Sequence, residues 1–172
     1  RNSIVAVSVA SFFVMMYVLY AFRRLEKSYR FAISAVLTLI HDVVLVTGIY
    51  ALLGHIFGLQ VNSVFIVALL TVIGYSVNDT IVIFDRIREN QIKFPDNKYS
   101  SNINISINES IIRSLGTSIT TLLVLFSMLI LGGSTLREFI VVLILGVVVG
   151  TYSSIFIASQ FLIIWEEGIK KD

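Results

Sequence analysis

The stretch VNSVFIVALLTVIGYSVNDTIVIF, residues 61–84, is an apolar run that carries one carboxylate, Asp79, close to its end. An apolar helix of about 20 residues crosses a hydrocarbon core about 30 Å thick. At a rise of about 1.5 Å per residue, Asp79 lies roughly 8 Å inside the end of such a helix. A charge at the bilayer centre costs about 2.5–3.5 kcal/mol on insertion scales, and such residues often handle ions or protons. The stretch predicts a membrane helix with a working acid; a purely structural buried acid is the alternative.

The composition of the whole chain also favours a membrane protein. Its 172 residues are 56% hydrophobic and 14% charged, with a mean hydropathy of +0.90. Soluble domains are about 45–50% apolar and about 25% charged. A chain this short cannot hide so much apolar surface in a globular core, so the bilayer is the expected solvent.

Five apolar stretches are long enough to span a bilayer, and they predict an all-α membrane protein with a single transmembrane domain over residues 1–172. The spans are residues 4–22, 31–53, 61–84, 113–131 and 139–165. All but two of the 13 basic residues, Arg1 and Arg137, fall after the first span, after the third span or at the C-terminus. The positive-inside rule therefore predicts an outer N-terminus and a cytoplasmic C-terminus.

The inner segment between the third and fourth spans, about residues 86–112, contains the single proline, Pro95. Its start, DRIREN, is expected to prolong the third helix beyond the membrane. Isoleucines recur through the second half, at positions 103, 105, 107, 111 and 112. The pattern fits an amphipathic helix along the membrane surface. A strand is the alternative, but an isolated strand has no pairing partner, and we favour the surface helix.

Two further charged residues are candidates for a proton path. Asp42 lies near the middle of the second span, where it is either a hydrogen-bonded structural acid or a station for protons. Its neighbour His41 is rotated away and is expected to have a packing role. Arg113, at the inner edge of the fourth span, is the candidate cation for Asp79. Taken alone, Arg113 is more typical of a basic flank that reaches toward the lipid head groups.

Small residues predict where helices approach one another closely. In the third span Gly74 and Asn78 lie four residues apart and share a helix face. The last span has a longer series of this type, with a small residue at every fourth position: Gly146, Gly150, Ser154 and Ala158. Such a series is a seam for close helix contact.

Several function classes are disfavoured by the sequence. It has no P-loop, HExxH, G-x-S-x-G or GxGxxG motif, so we expect no enzyme and no cofactor. With no cysteine and two distant histidines, it offers no evident metal site. The basic residues cluster between apolar runs rather than along an aromatic stripe, which argues against nucleic-acid binding. The energy source would then be a membrane gradient or a partner.

Four segments resemble the SecF branch of the SecD/SecF family, which belongs to the RND transporter superfamily. They are HDVVLVTGIYALLG (41–54), VIGYSVNDTIVIFDRIREN (72–90), RSLGTSITTLLVL (113–125) and GTYSSIFIAS (150–159). The second is the most specific, and its Asn78-Asp79-Thr80 triplet favours SecF over SecD. The resemblance covers helices two to six of the family and implies an RND-type half-bundle. A first helix and a periplasmic domain would precede it, so we expect a piece of a longer protein.

The resemblance implies a subunit that uses the proton gradient, with a SecD-like partner, to promote late steps of preprotein translocation through the SecYEG channel. It implies that Asp79 and Arg113 belong to a proton path, and it includes Asp42 in a family motif. The expected location is the bacterial inner membrane, with a thylakoid membrane as the alternative. Two other functions stay open: an RND-type exporter of small molecules or lipids, and a structural membrane subunit without proton coupling.

Overall fold

Six α-helices and one short π-helix form the part of the chain that the computed structural model describes, residues 2–21 and 28–167. In chain order they are α1 Asn2–Ala21, α2 Ser28–Phe57, α3 Ser63–Lys93, α4 Tyr99–Leu131, α5 Ser134–Ser153, the π-helix Ser154–Ala158 (the π-turn) and α6 Ser159–Glu167. The predicted all-α class is confirmed. The predicted orientation rests partly on residues outside the described ranges: Arg1, Arg23, Arg24, Lys27, Lys170 and Lys171.

Within these ranges, four helices are long and apolar enough to cross a membrane. Three are α2, α3 and α4; the fourth is the continuous helix Leu136–Trp165, which joins α5, the π-turn and α6. The predicted first span, residues 4–22, coincides with α1, in which Phe12–Ala21 counts as a shorter apolar helix. Val18 of α1 is fully buried in an apolar cluster with side chains of α2, α3 and α6.

Helix α3 lies at the centre of the bundle and contacts α1, α2, α4 and α5. Its start is fixed by Asn62, whose side-chain oxygen accepts a hydrogen bond from the Phe65 N–H at 3.0 Å. Such an N-cap satisfies one of the free N–H groups of the first turn. The Asn62 side chain also donates to Glu138 of α5 at 2.8 Å, which ties the start of α3 to the start of α5. The acid-bearing helix is thus held at its N-terminal end and packed on several sides.

Helices α3 and α5 pack along the small-residue series of the last span. Gly146 lies against Val72, and a Cβ at Gly150 would lie 3.1 Å from the Ser76 Cβ. One turn further, the hydroxyls of Ser154 and Thr80 are 2.8 Å apart. Each step advances four residues on both helices, which is the geometry of small-residue contacts between membrane helices. Close approach here makes the hydroxyl contacts near both acids possible.

The inner segment forms a helical hairpin rather than a helix along the membrane surface. Helix α3 continues to Lys93, as the sequence predicts, but α4 already begins at Tyr99. Ile103 is fully buried against α3, and the Asn90 amide donates to the Ser106 hydroxyl at 2.9 Å. The expectation of a separate surface helix is therefore wrong, and the fourth helix begins well before the predicted span of residues 113–131. Of the five isoleucines, Ile103 is buried against α3, Ile107 and Ile111 pack partly against the same cluster, and Ile112 is 82% exposed.

Candidate functional site

Asp79 lies on α3 with only 7% of its surface exposed, and its recorded hydrogen-bond partner is a side chain of α4. The Ser114 hydroxyl lies 2.7 Å from both carboxylate oxygens, to either of which it can donate its one proton. An ionised carboxylate can accept about four hydrogen bonds. Asp79 therefore keeps accepting capacity that Ser114 does not use.

A cavity of about 90 Å³ opens beside Asp79 between α3 and α4. A single water needs roughly 10–15 Å³ of such space, so the cavity can hold several waters. All of its lining residues except Val82 carry a polar group: Tyr75, Asn78, Asp79, Arg113, Ser114 and Thr117. The carboxylate thus faces a small space that suits water or a proton carrier.

Arg113 lies at the same cavity and is otherwise exposed. Among the described residues it forms no ion pair with Asp79, so the two charges are separated by the cavity. A nearby cation favours the ionised form of a carboxylic acid, and burial favours the neutral form. A change in the distance between Arg113 and Asp79 can therefore drive proton uptake or release.

Asp42 has a different environment, on α2 and only 2% exposed. One carboxylate oxygen accepts hydrogen bonds from Ser76 of α3 and, at 2.8 Å, from Ser153 of α5. The other lies 3.1 Å from Nδ1 of His41. The two acids expected from the sequence are therefore not in contact. Asp42 joins α2, α3 and α5, whereas Asp79 joins α3 and α4.

The bundle contains a further set of hydroxyl contacts between helices. Ser118 of α4 lies 2.5 Å from the Thr151 hydroxyl of α5 and 3.1 Å from that of Tyr75. By contrast, Thr120 and Thr121, in the polar run of the fourth span, donate to carbonyls of their own helix.

The residues that reach the acids, Ser114 and Ser153, were not singled out from the sequence. The spacing of Ser110, Ser114 and Ser118 at every fourth position was the available signal.

The six small residues expected to mediate packing fall into two groups. Gly146, Gly150, Ser154 and Ala158 are buried inside the bundle. Gly74 and Asn78 are exposed, and a Cβ at Gly74 would meet nothing within 4 Å. Over the described ranges no group of three or more histidine, cysteine or acidic side chains could hold a metal ion.

Comparison with known proteins gives the family. A family model described as "Protein export membrane protein SecD/SecF, C-terminal" matches residues 1–168. The chain is 45% identical over 166 residues to protein translocase subunit SecF of Thermobaculum terrenum, which covers 96% of this chain and 52% of that protein. It is 42% identical to protein translocase subunit SecDF of Thermus thermophilus, over 96% of this chain and 21% of that protein.

Solved structures agree with the sequence comparison. A crystal structure of SecDF from Thermus thermophilus, described as a translocon-associated membrane protein, matches with a TM-score of 0.86 at 41% identity and covers 97% of this chain and 22% of that one. A SecDF structure in a super-membrane-facing form matches with a TM-score of 0.81 over 91% of this chain and 20% of that one. The chain spans about half the length of the SecF relatives that it matches. It belongs to the SecD/SecF family of protein export membrane proteins, of which it contains the C-terminal membrane region.

Proposed function

We propose that this chain is the membrane part of a SecF-like translocase subunit that uses the proton gradient to promote late steps of preprotein translocation. The names of its relatives support the translocase role. The observation that carries proton coupling is the cavity between Asp79 and Arg113, because it brings a buried acid, a cation and room for water together. No cofactor is needed for this function.

The mechanism that we propose is a change in the charge state of Asp79. While the Arg113 guanidinium is close, Asp79 stays ionised and accepts from Ser114. When α4 moves the cation away, the buried carboxyl takes up a proton from the cavity. One elementary charge that crosses 100 mV yields about 2.3 kcal/mol, which is enough to shift a two-state equilibrium by nearly fifty-fold. Asp42, hydrogen-bonded to α3 and α5, is proposed to position these helices along the same path.

We also propose the location and the orientation. The chain is a multi-pass membrane protein of this family, and α1 is proposed as the fifth span. The basic residues between spans support an outer N-terminus and a cytoplasmic C-terminus in the bacterial inner membrane. A thylakoid membrane would keep the same arrangement relative to the gradient.

A SecD-like subunit is the proposed partner, and together the two subunits would act at the SecYEG channel on the translocating preprotein. Support for the first contact comes from the exposed face of α3 that carries Thr71, Gly74 and Asn78. Polar and small residues at membrane depth usually face another helix rather than lipid. The SecDF relative, in which one chain carries both names, supports the same pairing.

The test compares wild type with Asp79→Asn in the full-length protein, assembled with its SecD-like partner in vesicles that contain the export channel. We expect the gradient to stimulate preprotein export in wild type and not in the variant. Asp85→Asn is the matched control, since Asp85 lies on the same helix but is exposed and paired with Arg88 at 2.9 Å. It should keep the full response to the gradient.

A gradient response that survives in Asp79→Asn would overturn proton coupling at this residue and favour the structural subunit. Export of small molecules or lipids by the same vesicles, with no effect on preproteins, would favour the RND-type exporter instead. The two alternative functions therefore give different results in one preparation.

A further inference from the structure

Three hydroxyl residues at the start of the π-turn and just before it each reach a different helix. Thr151, Ser153 and Ser154 occupy almost a single turn of the last span and are all buried; we call them the hydroxyl hub. Their partners are Ser118 of α4 for Thr151, Asp42 of α2 for Ser153, and Thr80 of α3 for Ser154. One turn of helix thus holds together the other three long helices of the bundle.

The hub is also connected to Asp79. The Ser118 hydroxyl, 2.5 Å from that of Thr151, lies 3.0 Å from the Ser114 carbonyl. Ser114 in turn donates to the Asp79 carboxylate at 2.7 Å. The hub therefore touches Asp42 directly and Asp79 through two serines of α4.

The π-turn makes this arrangement sensitive to small movements. A π-helix carries an extra residue and bonds each N–H to the fifth preceding carbonyl; such turns are rare and often lie at functional sites. Successive helical residues are rotated by about 100°, so Ser153 and Ser154 face different neighbours but move as one unit. Gly150 packs closely on Ser76, which leaves α5 little freedom to separate from α3. A rotation that loosens one hub contact must therefore change the others.

We propose that Ser153 and Thr151 are positioning residues that couple the two buried acids. The hydrogen bonding of Asp42 fixes the rotation of the hub, and the hub holds Ser118, which donates to the backbone carbonyl of Ser114 and so fixes the turn of α4 whose Ser114 hydroxyl donates to Asp79. The inference deepens the proposed function and rests on it. It gives Asp42 a specific role: Asp42 sets the protonation of Asp79 at a distance.

The charged groups beside each acid differ, and the acids are connected in two ways: through the hub, and through α3, whose Ser76 donates to Asp42 and lies three residues before Asp79. The titratable side chain beside Asp42 is His41 of its own helix. Helices α3 and α5 present serines to Asp42, and α1 contributes aliphatic Val14 to the neighbouring cluster. The charged residue facing Asp79 is Arg113, across the cavity. A substitution in the hub therefore changes no charge near either acid.

The test is the pH dependence of labelling at Asp79 by dicyclohexylcarbodiimide, which adds to protonated carboxyl groups in apolar surroundings. The full-length protein with its SecD-like partner is labelled in vesicles, and the adduct at Asp79 is measured by mass spectrometry. We expect Ser153→Ala and Thr151→Val each to change the labelling rate near its midpoint pH by at least about twofold, the lower end for coupled contacts. Ser153→Cys, which keeps a weak donor, should give a smaller change.

The matched control is Ser34→Ala, since Ser34 is fully buried in the same bundle but its hydroxyl has no hydrogen-bond partner among the residues that the structure describes. Its labelling profile should equal that of wild type. If the labelling profiles of both hub variants equal that of wild type, or if the control shifts by the same amount, the proposed coupling is wrong. The hub would then have only a packing role. If Asp79→Asn instead keeps its gradient response, the proposed function fails while the labelling comparison still decides whether the hub links the acids.

Discussion

Asp79 and Asp42 are both buried carboxylates inside membrane helices, and they differ in how fully their oxygens are used. Both oxygens of Asp42 have protein partners, and these come from three helices. Asp79 has one serine partner and a cavity that also contains Arg113. The two sites have the same acid and similar burial but different spare hydrogen-bonding capacity.

The difference supports the proposal that Asp79 is the acid that exchanges protons. A proton needs a free lone pair to bind and a route by which to arrive, and Asp79 has both. Removing one member of a satisfied buried network leaves the others unpaired, which is costly. Asp42 is thus suited to hold helices in place, and Asp79 is suited to change its charge. The predictions below test this division of roles.

The largest effect after that of Asp79 itself is expected at Arg113. Arg113→Ala removes the cation that favours ionised Asp79, and loss of a nearby charge commonly shifts proton affinity by about tenfold or more. We expect gradient-dependent export to fall by at least about tenfold, with Arg113→Lys intermediate because it keeps the charge. The control is Arg137→Ala, an exposed arginine near the start of α5. Equal losses of gradient-dependent export in the two arginine variants would mean that Arg113 acts only as a basic residue that flanks a membrane span.

Much of the fold could be predicted because an apolar stretch long enough to cross the bilayer is expected to form a helix. The extension of α3 through DRIREN was predictable from its continuous helical pattern. The early start of α4 was not, because Ile/Asn alternation is compatible with a surface helix, a strand or a hairpin arm. What decides it is the contact of Asn90 with Ser106 and the burial of Ile103 on α3. Such pairing between distant segments cannot be read from one segment's periodicity.

The acids of the site were predictable, but most of their partners were not. Asp79 follows from its depth in an apolar run, and Arg113 gained its role from the family resemblance. Ser114 and Ser153 resemble other hydroxyl residues of the spans, such as Thr120, that donate to their own helix. Only the packing of α4 and α5 against α3 separates the two kinds. The π-turn has no clear signal in the sequence.

The next-largest effect is expected at Asp42 and concerns the free energy of unfolding. Asp42→Ala would leave Ser76 and Ser153 without their shared acceptor and open a cavity between three helices. We expect the free energy of unfolding to fall by about 2–4 kcal/mol. Asp42→Asn, which keeps the volume and an acceptor, should lose less. The measurement is unfolding of the full-length protein in mixed detergent micelles, followed by circular dichroism.

Ser34→Ala again serves as the control in this series, because it removes a buried hydroxyl that has no partner in the described part of the chain. It should unfold like wild type. If Asp42→Ala is as stable as the control, Asp42 does not hold the helices together. The difference in role between Asp42 and Asp79 would then rest on Arg113 alone.

The smallest expected effect comes from two glycine variants, which distinguish packing inside the chain from packing against a partner. A Cβ at Gly146 would overlap the Val72 side chain, whereas one at Gly74 would meet nothing in this chain. Gly146→Ala should therefore lower the free energy of unfolding by about 1–3 kcal/mol, as overpacking does. Gly74→Ala should leave it unchanged or slightly higher, because alanine favours the helix.

The same pair of variants tests the exposed face of α3. If a SecD-like helix packs against Gly74, the Gly74→Ala protein should co-purify with less of that partner, although its own fold is intact. Gly146→Ala should lose partner and stability together. Full recovery of the partner with Gly74→Ala would mean that this face contacts lipid. Asn78, which is exposed on the same face, would then have to be hydrated by water in the cavity beside Asp79. In that case the acid site itself, rather than a partner helix, explains why α3 has polar residues on its exposed side.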